Sequence, residues 1–131
     1  MRKDIDIPEV KDIYVAAVFE LNEEYNTHDW NIYLINDGAS PIETVLVVAQ
    51  GYDDKDMTAP MRKTIGLVPA KGYAKLEYID ESVFKLDNFF TITYFQDSRL
   101  FDRRFELPRF SITEDNGVIL PVLGKKGVLA R

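Results

Sequence analysis

An all-β domain is the fold class this sequence predicts: an immunoglobulin-like, two-sheet antiparallel sandwich of about seven strands, with a C-terminal hairpin or tail. Three observations predict it. Apolar and polar residues alternate with a period of two along most of the chain, and a sustained helical period is nearly absent. Clusters of Asn, Asp, Gly and Pro separate the alternating segments at the spacing of sandwich strands. No segment supplies the crossover helix of a βαβ unit. At 131 residues the chain holds one domain, since a second core would be too small to stand alone.

The first expected strand spans residues 13–21, with Ile13, Val15, Ala17, Phe19 and Leu21 on one face. Residues 22–26, centred on Glu23 and Glu24, form a polar turn. The second strand, about 29–36, places Trp30, Ile32 and Leu34 inward and Asn31, Tyr33 and Ile35 outward. The run Asn36-Asp37-Gly38-Ala39-Ser40-Pro41 then combines residues that tolerate positive φ with one that fixes a turn. Residues 43–52 are apolar on both sides through their middle, which marks a central strand or one covered on its second face.

Residues 53–60 read as a loop, and 61–67 as an edge strand guarded by Arg62 and Lys63. After a turn over 68–72, residues 73–79 alternate, with Lys75 and Glu77 opposite Ala74, Leu76 and Tyr78. Residues 80–86 carry the one helical hint: Asp80 can cap a single turn, and Val83, Phe84 and Leu86 can fold back on the core. The strongest hairpin joins 89–95 to 100–107 through Gln96-Asp97-Ser98-Arg99; in its second arm Phe101, Phe105 and Leu107 face inward. Beyond it, residues 110–113 and 118–120 flank Glu114-Asp115-Asn116-Gly117, and Asn-Gly favours a type I′ hairpin turn. The resulting division is an N-terminal arm over 1–11, a sandwich over 12–109, and a C-terminal hairpin or tail over 110–131 that packs on the domain or on a partner.

Composition narrows the function classes. A net charge of −6, with sixteen Lys and Arg scattered among twenty-two acids, argues against nucleic acid or an anionic membrane as partner. No cysteine is present, which removes disulfides, thiolate metal sites and cysteine nucleophiles. The first residues lack the apolar stretch of a signal peptide, and no apolar run approaches the ~20 residues needed to cross a bilayer. The expected location is therefore the cytoplasm.

Each candidate for chemistry meets a simpler structural reading. His28 is the single histidine; it precedes Trp30 at a strand mouth, and none of the four serines sits in a nucleophile elbow, so it reads as a solvated turn residue. Asp53, Asp54 and Asp56 could offer oxygens to a hard cation, but the surrounding residues lack the EF-hand pattern and a solvated loop tip is preferred. The pairs Glu23/Glu24 and Asp80/Glu81 read as turn and cap residues rather than the two acids of a glycosidase. Gly124-Lys125-Lys126-Gly127 lacks both the spacing and the strand–helix context of a phosphate loop. Tyr14, Tyr33, Tyr73, Tyr78 and Tyr94 lie in strands, and without a basic groove they read as core rather than as a stacking platform. No catalytic residue and no cofactor is assigned.

The anomaly is the tail. Val118, Ile119, Leu120, Val122 and Leu123, interrupted by Pro121, are too apolar to stay in water without cost, at ~25 cal/mol per Å² of exposed apolar surface. A last strand at a sheet edge, where Pro121 is tolerated, is preferred over a subunit contact. With Lys125 and Lys126, these residues form the expected partner-binding set.

The segments Trp30-Asn31-Ile32-Tyr33-Leu34-Ile35-Asn36, Pro41-Ile42-Glu43-Thr44-Val45-Leu46-Val47, Gly51-Tyr52, Leu67-Val68-Pro69-Ala70, Tyr78-Ile79-Asp80 and Asn88-Phe89-Phe90 resemble an uncharacterised family of short bacterial immunoglobulin-like sandwich proteins. The resemblance covers about 5–107 and carries no functional motif. Chains of this kind are sometimes labelled a phenylalanyl-tRNA synthetase alpha subunit. The sequence does not support that activity, because a class II catalytic domain is a much larger α/β structure with arginine-bearing ATP motifs that have no counterpart here.

The leading expectation is a non-catalytic protein-interaction or accessory module, with a protein partner or a homodimer through the tail. The alternative is a small-ligand carrier with a pocket of at least ~300 Å³ between the sheets. An enzyme comes third.

Overall fold

Among the described residues the alternating segments form nine strands in two antiparallel sheets. In the computed structural model, which describes residues 8–131, the strands are β1 (Ile13–Asn22), β2 (Thr27–Asn36), β3 (Ile42–Tyr52), β4 (Met61–Val68), β5 (Gly72–Ile79), β6 (Asp87–Gln96), β7 (Arg99–Leu107), β8 (Val118–Ile119) and β9 (Lys126–Leu129). Residues 1–7 of the N-terminal arm expected over 1–11 lie outside the described residues. One sheet runs β5-β2-β1-β9-β8 and the other β4-β3-β6-β7. The chain makes the β1–β2 hairpin, crosses for β3 and β4, returns for β5, and crosses again for β6–β7. That exchange between two packed sheets makes the sandwich immunoglobulin-like.

The core lies between the sheets. Val15, Ala17, Ile32 and Leu34 face Val45, Val47, Ile92, Tyr94, Phe105 and Leu107, and all are buried. Local signals set the hairpins and caps as expected. Asp97 and Ser98 both have positive φ (51° and 65°), the backbone of a two-residue I′-type turn between β6 and β7. Asp80 accepts a hydrogen bond from the Ser82 backbone N–H at 2.8 Å and caps the 3₁₀ turn Glu81–Val83. Strand β4 lies at a sheet edge.

Three expectations are corrected. In β5, Ile32 pairs with Glu77 while Tyr33 pairs with Lys75, so Leu76 is an extra, bulged residue. The bulge shifts the phase: Leu76 and Ile79 are buried, whereas Tyr78, expected on the face of Leu76, is exposed. The Asn116-Gly117 hairpin does not form. Residues Glu114–Asn116 make a 3₁₀ turn, Gly117 has φ −74°, and the hairpin is instead β8 with β9. Finally, Asn31 and Ile35 face away from the main core and are nonetheless buried.

The tail causes that last difference. Strand β9 pairs with β1, setting Ala16, Ala17 and Val18 opposite Leu129, Val128 and Gly127. Gly127 is needed there, because a Cβ would lie 2.7 Å from both the Ala17 carbonyl oxygen and Leu120 Cδ1. The segment before β9 then folds over the outer face of the first sheet, and Leu120 joins Ala16, Val18 and Ile35 in a second small core edged by Tyr14, Tyr33, Leu123 and Leu129. The chain end reaches the other sheet through two reciprocal Glu106–Arg131 backbone hydrogen bonds of 2.8 Å.

Asn36 joins the two halves of the fold. Fully buried, its Nδ2 donates to the carbonyls of Ser40 (2.9 Å), Pro69 (3.1 Å) and Val68 (3.3 Å), and its Oδ1 accepts from Gly38 N–H (3.0 Å). Among the described residues no helix is long and apolar enough to cross a membrane.

Candidate interaction surface

The two outer faces of the sandwich differ. The first sheet has its outer face covered over β1 and β2 by the chain's own tail. Among the described residues the second has no such cover. Its register aligns Leu67 of β4, Glu43 of β3, Phe95 of β6 and Leu100 of β7 in one row, with Leu46 in the next. Leu46, Leu67, Phe95 and Leu100 are 40%, 49%, 42% and 46% exposed. Full burial of such a side chain is worth ~1.5–3 kcal/mol, so the set withholds on the order of 3–5 kcal/mol that a partner could recover. Glu43 interrupts that row between Leu67 and Phe95, so the apolar side chains are grouped at one end of the face around a carboxylate, and such a group marks an interaction surface more than scattered single residues do.

The far end of the same face is polar and aromatic. The Arg104 guanidinium lies 3.7 Å above the Phe89 ring, and Tyr52 meets Phe89 edge-on at 5.7 Å. Tyr52 donates its hydroxyl hydrogen to Gln50 Oε1 at 2.7 Å. These side chains, with Val48 and Thr91, line an open depression of about 260 Å³. Cross-strand Thr93 and Asp102 are joined by a 2.6 Å hydrogen bond.

The tail residues expected to bind a partner divide into two groups. Leu120 is buried against the first sheet, and Leu123 packs on the same cluster. Lys125 Nζ bonds Glu20 Oε1 at 2.7 Å. These three contact their own domain. Val118, Ile119, Val122 and Lys126 remain outward, with Ile119 at 72% exposure. Glu20 is the polar anchor of the tail, its Oε2 accepting from Tyr33 Oη (2.5 Å) and Asn31 Nδ2 (2.8 Å). Burial pushes the Glu20 carboxyl up, but the bonds from Lys125, Tyr33 and Asn31 outweigh it and hold the group below its ordinary range. Desolvation and the adjacent Glu20 charge push Tyr33 well up.

The remaining candidates take local structural roles. Asp53 Oδ1 accepts from the backbone N–H groups of Lys55 and Asp56, which lowers its pKa, and Asp54 lies 3.7 Å from Arg109. Among the described residues no group of three or more His, Asp or Glu side chains converges as a metal ion requires. His28 is exposed, packs on Phe19 at 5.4 Å, and shares a shallow depression with Asp29, Tyr78 and Asp80 but no serine. Lys126 opens β9 and no helix follows Gly124, so nothing there cradles phosphate. The core reading holds for Tyr94 alone among the strand tyrosines. Tyr14 and Tyr33 lie under the tail, and Tyr73 and Tyr78 are exposed because the tail stops short of β5.

Sequence reasoning missed the second sheet's outer row. The apolar run 45–48 was legible, but whether its second face was covered was not. Comparison of the chain with family models, curated proteins and solved structures finds no match in any of the three, and none bears on the bacterial sandwich family that the sequence resembles.

Proposed function

We propose that this domain is a non-catalytic protein-interaction module that docks its partner on the outer face of the β4-β3-β6-β7 sheet. The contrast between the two faces carries the reading: the tail covers one over β1 and β2, while the other, among the described residues, presents half-exposed Leu46, Leu67, Phe95 and Leu100 beside the stacked Arg104–Phe89 pair. Aromatic and Arg anchors beside apolar side chains are what interface centres are built from. The carrier alternative gains no such support: the depression between the sheets at β4 and β5 holds about 160 Å³, below the ~300 Å³ a ligand pocket needs.

The test is affinity capture from native lysate with three baits: the natural chain, Leu67→Glu/Phe95→Glu, and Ile119→Glu on the exposed tail. All changed positions are solvent-exposed, so each bait should keep the fold, as circular dichroism would check. A partner retained by the tail variant, lost by the sheet variant and cross-linked to β3 or β6 supports the proposal. A partner retained by the sheet variant and lost by the tail variant overturns it in favour of the tail.

A further inference from the structure

The open side of the sandwich, where edge strand β4 faces edge strand β5, holds a second feature. A cleft of about 160 Å³ enters between the sheets there. Ala49, Met61, Ile79, Val83 and Phe90 wall it with hydrocarbon, and several of these belong to the core itself. One carboxylate lines it: Glu77, placed inward by the β5 bulge that pairs it with core residue Ile32. Lys63 of β4 would be the natural counter-ion. Its ammonium is committed elsewhere, bonding the carbonyls of Lys75 (3.0 Å) and Leu76 (3.4 Å), and among the described residues Glu77 forms no ion pair. Burial accordingly pushes the Glu77 carboxyl up, with Lys63 opposing only in part. Glu77 is thus a half-buried carboxylate with no cation bonded to it, at the wall of a cleft that Gln50, Thr58 and Asn88 line on its polar side.

We propose that the cleft between β4 and β5 takes an aliphatic ammonium group, its hydrocarbon chain lying on Met61, Ile79 and Phe90 and its cation against Glu77. The volume suits one side-chain-sized group rather than a drug-sized ligand. The group could be a free alkylamine or a lysine side chain of a protein, and both share this chemistry. The proposal is independent of the docking face on the second sheet.

Titration of the full chain, followed by nuclear magnetic resonance of Ala49, Met61 and Ile79, tests it with four probes: pentylammonium, pentanol, pentanoate and Nα-acetyl-lysine methylamide. Pentylammonium should give saturable shifts confined to the cleft, and pentanol and pentanoate should not. Glu77→Gln should weaken pentylammonium by about tenfold or more, equivalent to ~1.4 kcal/mol. Ala59→Phe, which keeps Glu77 but covers the rim with a ring, should also block it, and an unchanged spectrum elsewhere would show that both variants fold. Equal or tighter binding of the lysine amide points to a protein-borne lysine; binding of pentylammonium alone points to a free amine. The proposal is overturned if neither amine saturates well above millimolar concentration, if pentanol binds as well, or if Glu77→Gln binds unchanged. In those cases Glu77 serves as an inward charge guarding the β5 edge.

Discussion

Replacing Asn36 separates a side chain that holds the fold together from one that merely ends a strand. Its amide supplies both kinds of hydrogen bond: Nδ2 reaches the carbonyls of Ser40, Val68 and Pro69, and Oδ1 takes the Gly38 N–H. Two amide hydrogens can satisfy two of the three carbonyls well, so about three good bonds are at stake. At ~1 kcal/mol net per bond, plus the cost of leaving buried carbonyls unpaired, Asn36→Ala should lose about 3–4 kcal/mol. Asn36→Asp keeps the volume and the acceptor for Gly38 but sets a carboxylate oxygen against two or three carbonyl oxygens. It should cost at least as much as alanine at neutral pH. That carboxyl would have its pKa raised in the folded state, so the penalty is present above the folded pKa and shrinks as pH falls through it, where the protonated acid can donate. Urea unfolding read by tryptophan fluorescence measures this directly. With a slope of ~1–3 kcal/mol per M, the midpoint of Asn36→Ala should fall by roughly 1–4 M. If Asn36→Asp matches the natural chain at pH 7, or loses stability as pH is lowered toward 4 faster than the natural chain does, the reasoning is refuted.

Three further outcomes can be checked by the same unfolding measurements. Gly127→Ala places a methyl against the Ala17 carbonyl and Leu120, so it should lift β9 from β1 and cost about 2 kcal/mol or more, whereas Ile119→Ser on the exposed edge should stay within ~0.5 kcal/mol; equal effects would mean the tail does not dock as described. Tyr94 Oη is buried with no partner among the described residues, and burial pushes its pKa up to about 12. Tyr94→Phe should therefore be neutral or stabilising by up to about 1 kcal/mol, and a loss beyond ~0.5 kcal/mol would reveal a hydrogen bond at that hydroxyl. Glu20 has a lowered folded pKa, so the stability it contributes is present above its unfolded value and lost as pH falls through the folded one. Glu20→Gln should flatten the acid limb of the stability curve, and an unchanged limb would remove the tail anchor from the account.

What could be read from the sequence was local. Period-two alternation placed seven strands, Asp80 marked a cap, and 96–99 marked a turn, because each depends on residues close together in the chain. The composition of the tail showed that it had to be covered. The tertiary structure alone decided what covers what. Ile35 lies on the expected outward face, yet it is sealed by Leu120, some eighty positions away in the chain. The β5 bulge that turns Tyr78 outward and brings Glu77 to the cleft follows from pairing with β2, and no residue within β5 signals it. Asn36 carries the features of an ordinary turn residue until Val68, at the end of β4, and Pro69 after it arrive from far along the chain. The outer face of the second sheet has the same origin: β3 reads as apolar on both sides, and with the tail paired to β1, Leu46, Leu67, Phe95 and Leu100 stay uncovered among the described residues. Alternation determines which residues share a face, whereas contacts between distant segments determine whether that face meets water.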